Sequence, residues 1–560
     1  MVDLKQKPYY LNEEQIKWVE DTIASMTVEE KIGQLFVNMV ANADERRPEA
    51  IQAVLSTYHP GAIRYHNAPK EELWEMAKNL QDSSKIPLLI ASNCEMGGNG
   101  GVNEGTTLAN GAAMAAMDSE EEVYRMAAIS AKESEAVGCN WNFAPVVDLT
   151  YNWRNTIVQL RAFNDSPEDV IRYGKAFFKG MRTRNFATCM KHFPGDGTEE
   201  NDQHLIMGIN GMSVEEWDES FGKVYKALID EGCMTIMAGH IALPAYSKKL
   251  CPGTLAPELI TGLLKGQLGF NGLVVTDASH MIGMFGATIP RSEQVPGAIA
   301  AGCDMFLFFN DRDEDFGYMM DGYRKGIITE ERLNDALHRI LGVKAALNLH
   351  VLKAEGNLVP PRENLAVVGC AEHHEAAKEM ADRFVTLVKD RCHYLPMTKE
   401  RYGRLKLVYI GSEATVIAGQ KFKSNDDAVI QDIVKQLEAR GFSVDAAVEQ
   451  KKGKMEEFRQ KYDAVLLVLN VQGFAQFNTM RIKWDEPAKQ PWYMSELPTF
   501  VVSLSNTNNL IDVPMARCYI NSYLPTHETF AATLEKMAGE SPFTGRYNEN
   551  VFCGRWETRF

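Results

Sequence analysis

The sequence predicts an α/β protein: a (β/α)8 TIM-like barrel followed by a second α/β sandwich domain with a mostly parallel sheet. Three observations predict it. At 560 residues the chain is too long for one ordinary domain. Eight strand-like runs, each followed by a helical stretch, recur within about the first 345 residues, the count a (β/α)8 barrel requires. These runs are continuously apolar rather than alternating, as expected of parallel strands covered on both faces.

In order, residues 12–26 place Ile16, Val19 and Ile23 at helical spacing, and Thr27-Val-Glu-Glu30 is a capping box opening a second helix, TVEEKIGQLF. The eight runs follow: Gly33–Met39, Gly61–Tyr65, Pro87–Ser92, Asn140–Val147, Ala187–His192, Thr235–Leu243, Gly272–Asp277 and Asp304–Phe309. Intervening helices include Lys70–Gln81, Ser119–Ala136, Pro167–Arg182, Val214–Asp230 and Ser292–Ala301. The barrel is assigned to residues 1–350, a linker around the Val359-Pro-Pro361 breaker to 351–365, and the second domain to 366–560. The second domain opens with a long helix over 366–390. Strands follow at Leu405–Ile410, Ser443–Val448, Ala464–Val471 and Phe500–Leu504, with helices at Asp426–Ala439 and Thr526–Met537. It carries no phosphate-cradling glycine pattern, so no nucleotide cofactor is expected.

Composition excludes several classes. The chain is 45% hydrophobic and 24% charged, as in globular proteins, and its net charge of −16 argues against nucleic acid or an anionic membrane as the main partner. No apolar run reaches the roughly 18 residues of a membrane span. The opening Met1-Val-Asp-Leu-Lys lacks the apolar segment of a secretory signal, and the ten cysteines are scattered without a C-x-x-C pair. A cytoplasmic protein with reduced thiols is the expectation.

Polar and ionisable residues gather where the apolar runs end: Asn93 and Glu95 after the third, Asp148 after the fourth, Lys191 and His192 at the fifth, His240 in the sixth, Asp277 at the seventh. In a barrel those ends form the face where active sites are built. The densest stretch is Lys191–His204, KHFPGDGTEENDQH, a strand end entering a loop broken by Pro194, Gly195 and Gly197. Within it, Asp202-Gln-His204 places a carboxylate where it can hold one imidazole nitrogen and leave the other free, which makes His204 a candidate general acid/base. Taken singly, these residues admit plainer readings: a solvated acidic loop for Asp202–His204, a helix N-cap for Asp277, a surface arginine for Arg161, a satisfied core histidine for His240. Asp202, His192 and His204 have donor types that suit several metals, but a metal is not expected.

Lys191-His-Phe-Pro-Gly195 with Asp202-x-His204 resembles glycoside hydrolase family 3, and more narrowly its bacterial β-N-acetylglucosaminidase branch. The likeness runs from about residue 25 to the end, where Gly539-Glu-Ser-Pro-Phe-Thr-Gly-Arg546 is similar to the terminal signature of two-domain members. The resemblance implies that Asp277 is the nucleophile, His204 held by Asp202 the acid/base, and Lys191 and His192 sugar ligands. Arg161, in Arg161-Ala-Phe163, and His240 match further binding positions. Asn93 stands where the family usually has the Asp that grips the sugar's other hydroxyls; Asp196 replaces a histidine; Met96 and Asn99 interrupt the usual E-G-G-R. An amide at 93 still binds hydroxyls but without a charge-assisted bond.

The implied activity is retaining hydrolysis of terminal N-acetylglucosamine from cell-wall or chitin-derived oligosaccharides, without a cofactor. Two alternatives stand beside it: a family 3 glycosidase or phosphorylase for another sugar, and a sugar-binding protein that has lost catalysis. Oligomeric state is not legible in the sequence.

Overall fold

The computed structural model describes residues 2–560 except 412–414, 418–419, 423–425, 448–451, 473–478 and 485. By internal contacts the chain forms two compact units. The first comprises Met1–Thr106, Val123–Leu149 and Asp165–Cys370; the second comprises Thr107–Glu122, Thr150–Asn164 and Ala371–Phe560.

The first unit is a barrel of eight parallel strands: β1 Phe36–Val40, β2 Ala62–Tyr65, β3 Leu89–Ser92, β4 Trp141–Asn142, β5 Ala187–Phe193, β6 Thr235–Ala238, β7 Leu273–Thr276 and β8 Phe306–Leu307. Each pairs with the next in sequence, β8 returns to β1, and a parallel bridge from Val275 to Met305 joins β7 to the start of β8. Strands β3, β5, β6 and β7 are buried at every residue, which accounts for their unbroken apolar runs. Six of the strands are shorter cores of their predicted runs, whereas β1 ends one residue later, at Val40, and β5 extends one residue further, to Phe193. The sixth run divides into β6 and a two-residue strand, Ile241–Ala242, that pairs with Gly208–Ile209.

Local signals set the surrounding helices. Thr27 Oγ1 accepts from Glu30 N–H while the Glu30 carboxylate accepts from Thr27 N–H, the predicted capping box. Ser166 caps Pro167–Met181, which has proline at its first position. The box leads only as far as Gly33; the rest of TVEEKIGQLF enters β1.

At the N-terminal ends of β7 and β8, a buried ion network takes the place of chemistry. Asp304, fully buried, accepts from Val274 N–H and pairs with Lys265 at 2.9 Å and with Arg332; Arg339 pairs with Asp335 at 3.0 Å. Every charge there has a partner, as burial requires.

The second unit carries a six-stranded sheet: β9 Thr386–Asp390, β10 Arg404–Gly411, β11 Ser443–Ala447, β12 Ala464–Asn470, β13 Thr499–Ser503 and β14 Cys518–Asn521, in the order β9-β14-β13-β12-β10-β11. All pairs are parallel except β9 with β14. The long helix expected over 366–390 is corrected: helix Ala371–Phe384 ends before Val385, and Thr386–Asp390, with β-branched Thr386 and Val388, form the antiparallel edge strand β9. Val448, the predicted end of β11, lies outside the described residues.

Lys344 is a buried cation without a carboxylate in ion-pair reach among the described residues. Its Nζ donates to Gln34 Oε1 at 2.8 Å, and burial pushes its pKa down to about 7. Between that value and the ordinary lysine range the unfolded chain holds a proton the folded chain lacks, so stability rises with pH by about 1.4 kcal/mol per unit. Lys344→Met should therefore melt higher than the parent at pH 7, and the advantage should shrink steadily toward pH ~10. Parallel melting curves across that range check this; a gap independent of pH would refute it.

Candidate active site

At the C-terminal ends of β3 to β7, the barrel brings together Asn93, Glu95, Asp148, Lys191, His192, Asp202, His204, His240 and Asp277, all within the first unit. Strand β5 supplies Lys191 and His192 as consecutive residues, both 3% exposed. Lys191 Nζ donates to Asn93 Oδ1 at 2.8 Å and pairs with Glu95 Oε1 at 2.7 Å. A buried ammonium needs such a partner, and the carboxylate comes from Glu95 while position 93 contributes an amide. Gly100 lets the loop after Glu95 close: Asn93 N–H donates to Gly100 O, and a Cβ at residue 100 would lie 2.1 Å from Asn93 O. Buried Glu133 holds the far end of that loop through Thr106 N–H and Oγ1, at 2.8 and 2.7 Å.

His192 occupies the centre. Its Nδ1 lies 2.7 Å from Asp148 Oδ2, and its Nε2 lies 4.0 Å from Asp277 Oδ2. Asp202 and His204 form the predicted pair: Asp202 Oδ1 accepts from His204 N–H at 2.8 Å and meets Nδ1 at 2.7 Å. Asp202 is 1% exposed at its side chain and His204 is 24% exposed, so the open nitrogen is Nε2. The loop is locked to the segment after β7, since Ile282 N–H and Gly283 N–H donate to the carbonyls of His204 and Gln203.

Asp277 ends β7 with its main chain fixed by Ala238 O at 2.7 Å, and its Oδ1 accepts from Ala278 N–H at 2.7 Å. Burial pushes its carboxyl up, but the nearby His192, His240 and His204 rings and that N–H outweigh it, so the net shift is downward and the ionised form is favoured. His240 is fully buried with both nitrogens engaged, Nδ1 at Thr254 Oγ1 and Nε2 at Ala278 O, each 3.0 Å. Burial pushes its pKa down. The structure thus places His240 behind the Asp277 backbone. Arg161 falls in 150–164, a segment of the second unit, on a turn where its N–H donates to Val158 O. Asp196 is buried, its N–H donating to Asp148 Oδ1 at 2.8 Å.

Three residues were not given roles from the sequence. Asp148 ends the apolar run NFAPVVD just as Asp277 ends LVVTD, a signal present but not weighed. Glu95 sits in the interrupted glycine motif. His280, three residues beyond Asp277, lies in that carboxylate's field, though burial pushes its pKa down overall. Among the described residues no group of three or more His, Cys, Asp or Glu side chains is placed to hold a metal ion.

An ionised carboxylate and a half-open imidazole at the mouth of a barrel suit displacement at an acetal carbon, with one group attacking and the other managing a proton. Comparison with known proteins agrees. Residues 27–343 match the glycosyl hydrolase family 3 N-terminal domain. The chain is 38% identical over the full length of both proteins to a "Beta-N-acetylglucosaminidase/beta-glucosidase" of Cellulomonas fimi. It is 31% identical over 186 residues, 33% of this chain and 51% of the relative, to a "Beta-hexosaminidase" of Chromobacterium violaceum. Among solved structures, the β-glucoside phosphorylase BglX superposes with a TM-score of 0.91 at 34% identity, covering 99% of both chains. A family 3 β-N-acetylglucosaminidase from Paenibacillus shares the fold, with a TM-score of 0.77 at 21% identity over 93% of this chain and 98% of that one. The chain belongs to glycosyl hydrolase family 3, and it is a glycoside hydrolase.

Proposed function

We propose that this enzyme removes terminal N-acetylglucosamine from β-linked oligosaccharides with retention, Asp277 attacking the anomeric carbon and His204 moving the proton. The observation that carries this reading is the Asp202–His204 pair, with Nδ1 tied to a buried carboxylate and Nε2 left open. In the first step Asp277 Oδ bonds to the anomeric carbon as the glycosidic C–O bond breaks, and the proton on His204 Nε2 goes to the departing oxygen. In the second step His204 Nε2 takes a proton from water, whose oxygen displaces Asp277 and restores the carboxylate. Lys191, His192 and Asn93 hold the sugar, Asp202 keeps the His204 tautomer, and His240 supports the Asp277 backbone. Fragments of bacterial cell wall or chitin are the natural class of substrate, and the double name of the Cellulomonas relative supports a β-glucoside as a second accepted substrate.

A second reading is phosphorolysis, in which phosphate displaces Asp277 to give a sugar 1-phosphate. Two observations favour it: the 34% identity to a β-glucoside phosphorylase along nearly the whole chain, and an imidazole rather than a carboxylate as the second catalytic group. A neutral base does not repel an incoming anion.

Asp277→Asn should lower kcat on the order of 10³-fold or more on both nitrophenyl β-N-acetylglucosaminide and nitrophenyl β-glucoside; full turnover would sink the assignment. With the parent, product analysis with and without phosphate separates the readings: free sugar throughout means hydrolysis, sugar 1-phosphate means phosphorolysis, and no turnover of either glycoside removes both.

His204→Ala should cost about 10²- to 10⁴-fold on a disaccharide, whose leaving oxygen needs a proton, and far less in the first step with a nitrophenyl leaving group. Equal losses on the two substrates would deny His204 the acid role. Because Asp277 must be ionised to attack and its carboxyl is held low, its acid limb in kcat/KM should fall below the ordinary aspartate value of about 3.9.

A further inference from the structure

Asp148 is a fully buried carboxylate beside the candidate site. No Lys or Arg side chain reaches it within ion-pair distance among the described residues; its one ion-pair partner is His192. Its two oxygens are instead satisfied by three N–H groups of the strand-five turn. Oδ1 accepts from His192 N–H at 3.1 Å and from Asp196 N–H at 2.8 Å, and Oδ2 meets His192 Nδ1 at 2.7 Å. A carboxylate without a proton can only accept, so Nδ1 carries the hydrogen of that contact. An imidazole has two ring nitrogens, and with Nδ1 committed the other is obliged to face Asp277 Oδ2, 4.0 Å away.

We propose that Asp148 is a positioning residue for the reaction: through His192 it fixes which ring nitrogen faces the nucleophile, and through Asp196 it anchors the turn that leads into the Asp202–His204 loop. The inference rests on the reading of Asp277 as the attacking group. The anchoring follows from the chain path. Asp196 is held at its N–H, Gly197 N–H donates to Asp196 Oδ1 at 2.6 Å, and the acid/base pair begins five residues later. One buried group in the segment after β4 thereby sets the bearing of both reacting partners. The groups facing Asp277 are His192 from β5, His204 from the following loop, His240 after β6 and His280 from the segment after β7. Of these, His192 is the one that Asp148 orients.

Asp148→Asn in the full chain is the test. The amide places a donor where one oxygen accepted, which turns the hydrogen on His192 to the wrong nitrogen; the equivalent change in a Ser-His-Asp triad costs kcat about 10⁴-fold. Here a loss of about 10²- to 10⁴-fold is expected on the same analogy. The discriminating readout is the acid limb of kcat/KM. With the hydrogen moved to Nε2, His192 presents a donor to Asp277 Oδ2, the ionised form of Asp277 is favoured further and the carboxylate is a weaker nucleophile, so the limb should move to lower pH than in the parent. A loss of activity with the limb unmoved would overturn the proposal, since a merely structural role predicts that result. A second measurement reads the parent rather than the Asp148 variant. Nitrogen-detected NMR of the histidine rings in the parent, with His192 assigned by its disappearance in His192→Gln, should show Nδ1 protonated; a ring protonated on Nε2 alone would overturn the proposal. Trapping with a fluorinated aryl glycoside and locating the label by mass spectrometry tests the Asp277 reading separately: a label elsewhere removes that reading while leaving the measured His192 tautomer as it stands.

Discussion

The site depends on one constraint: eight parallel strands closed into a ring and buried on both faces. Inside such a ring every backbone N–H and C=O is taken by a neighbour, and side chains from both faces meet apolar surroundings. Polar side chains can then survive only at the strand ends, and only with partners. The two ends resolve this differently. At the N-terminal end, Asp304, Lys265, Arg332, Asp335 and Arg339 neutralise one another in a closed network. At the C-terminal end Lys191 and Glu95 are closed in the same way, but Asp148 and Asp202 are paired through the imidazoles of His192 and His204, each of which keeps its second nitrogen off that carboxylate. Closed pairing gives stability; pairing through a two-sided ring leaves something to react.

That difference explains how much was legible. The barrel's strands were visible because burial on both faces leaves an unbroken apolar run, and the residue ending each run stands out against it. LVVTD and KHF marked Asp277, Lys191 and His192, and Asp202-x-His204 was legible because the interaction is local, two residues apart. Edge strand β9 was not visible. TLVKD follows a genuine helical period without a glycine or proline to announce the change, so helix Ala371–Phe384 seemed to continue. Contacts distant in sequence were equally hidden. Nothing in NFAPVVD says that its aspartate meets a histidine 44 residues on, and nothing in SNCEMGG says that Glu95 carries the charge facing Lys191. His240 shows a different limit. Its place in an apolar strand fits a ligand or a core residue equally well, and the two protein partners on its ring, Thr254 and Ala278, are distant in sequence.

The same chemical pair, a histidine on an aspartate, occurs twice within this site, and burial separates the two. Asp148–His192 has side chains 0% and 4% exposed, whereas Asp202–His204 has 1% and 24%. In both, the carboxylate is sealed and its contact with Nδ1 is 2.7 Å, so each ring is held equally firmly. What differs is the far nitrogen. For His192 it looks onto another carboxylate within the protein, and a proton there has nowhere to go but between protein groups. For His204 it looks outward, where a substrate oxygen or a water can exchange protons with it. A group that must keep one orientation beside a nucleophile gains from being cut off from solvent, because the low dielectric strengthens the field of its fixed dipole. A group that must give up a proton and recover it in each turnover cannot be cut off. The exposure of one ring and the enclosure of the other follow from their positions, His192 within the strand and His204 in the loop beyond it. The break at Pro194–Gly197, which ends the strand between them, is therefore what divides the two duties.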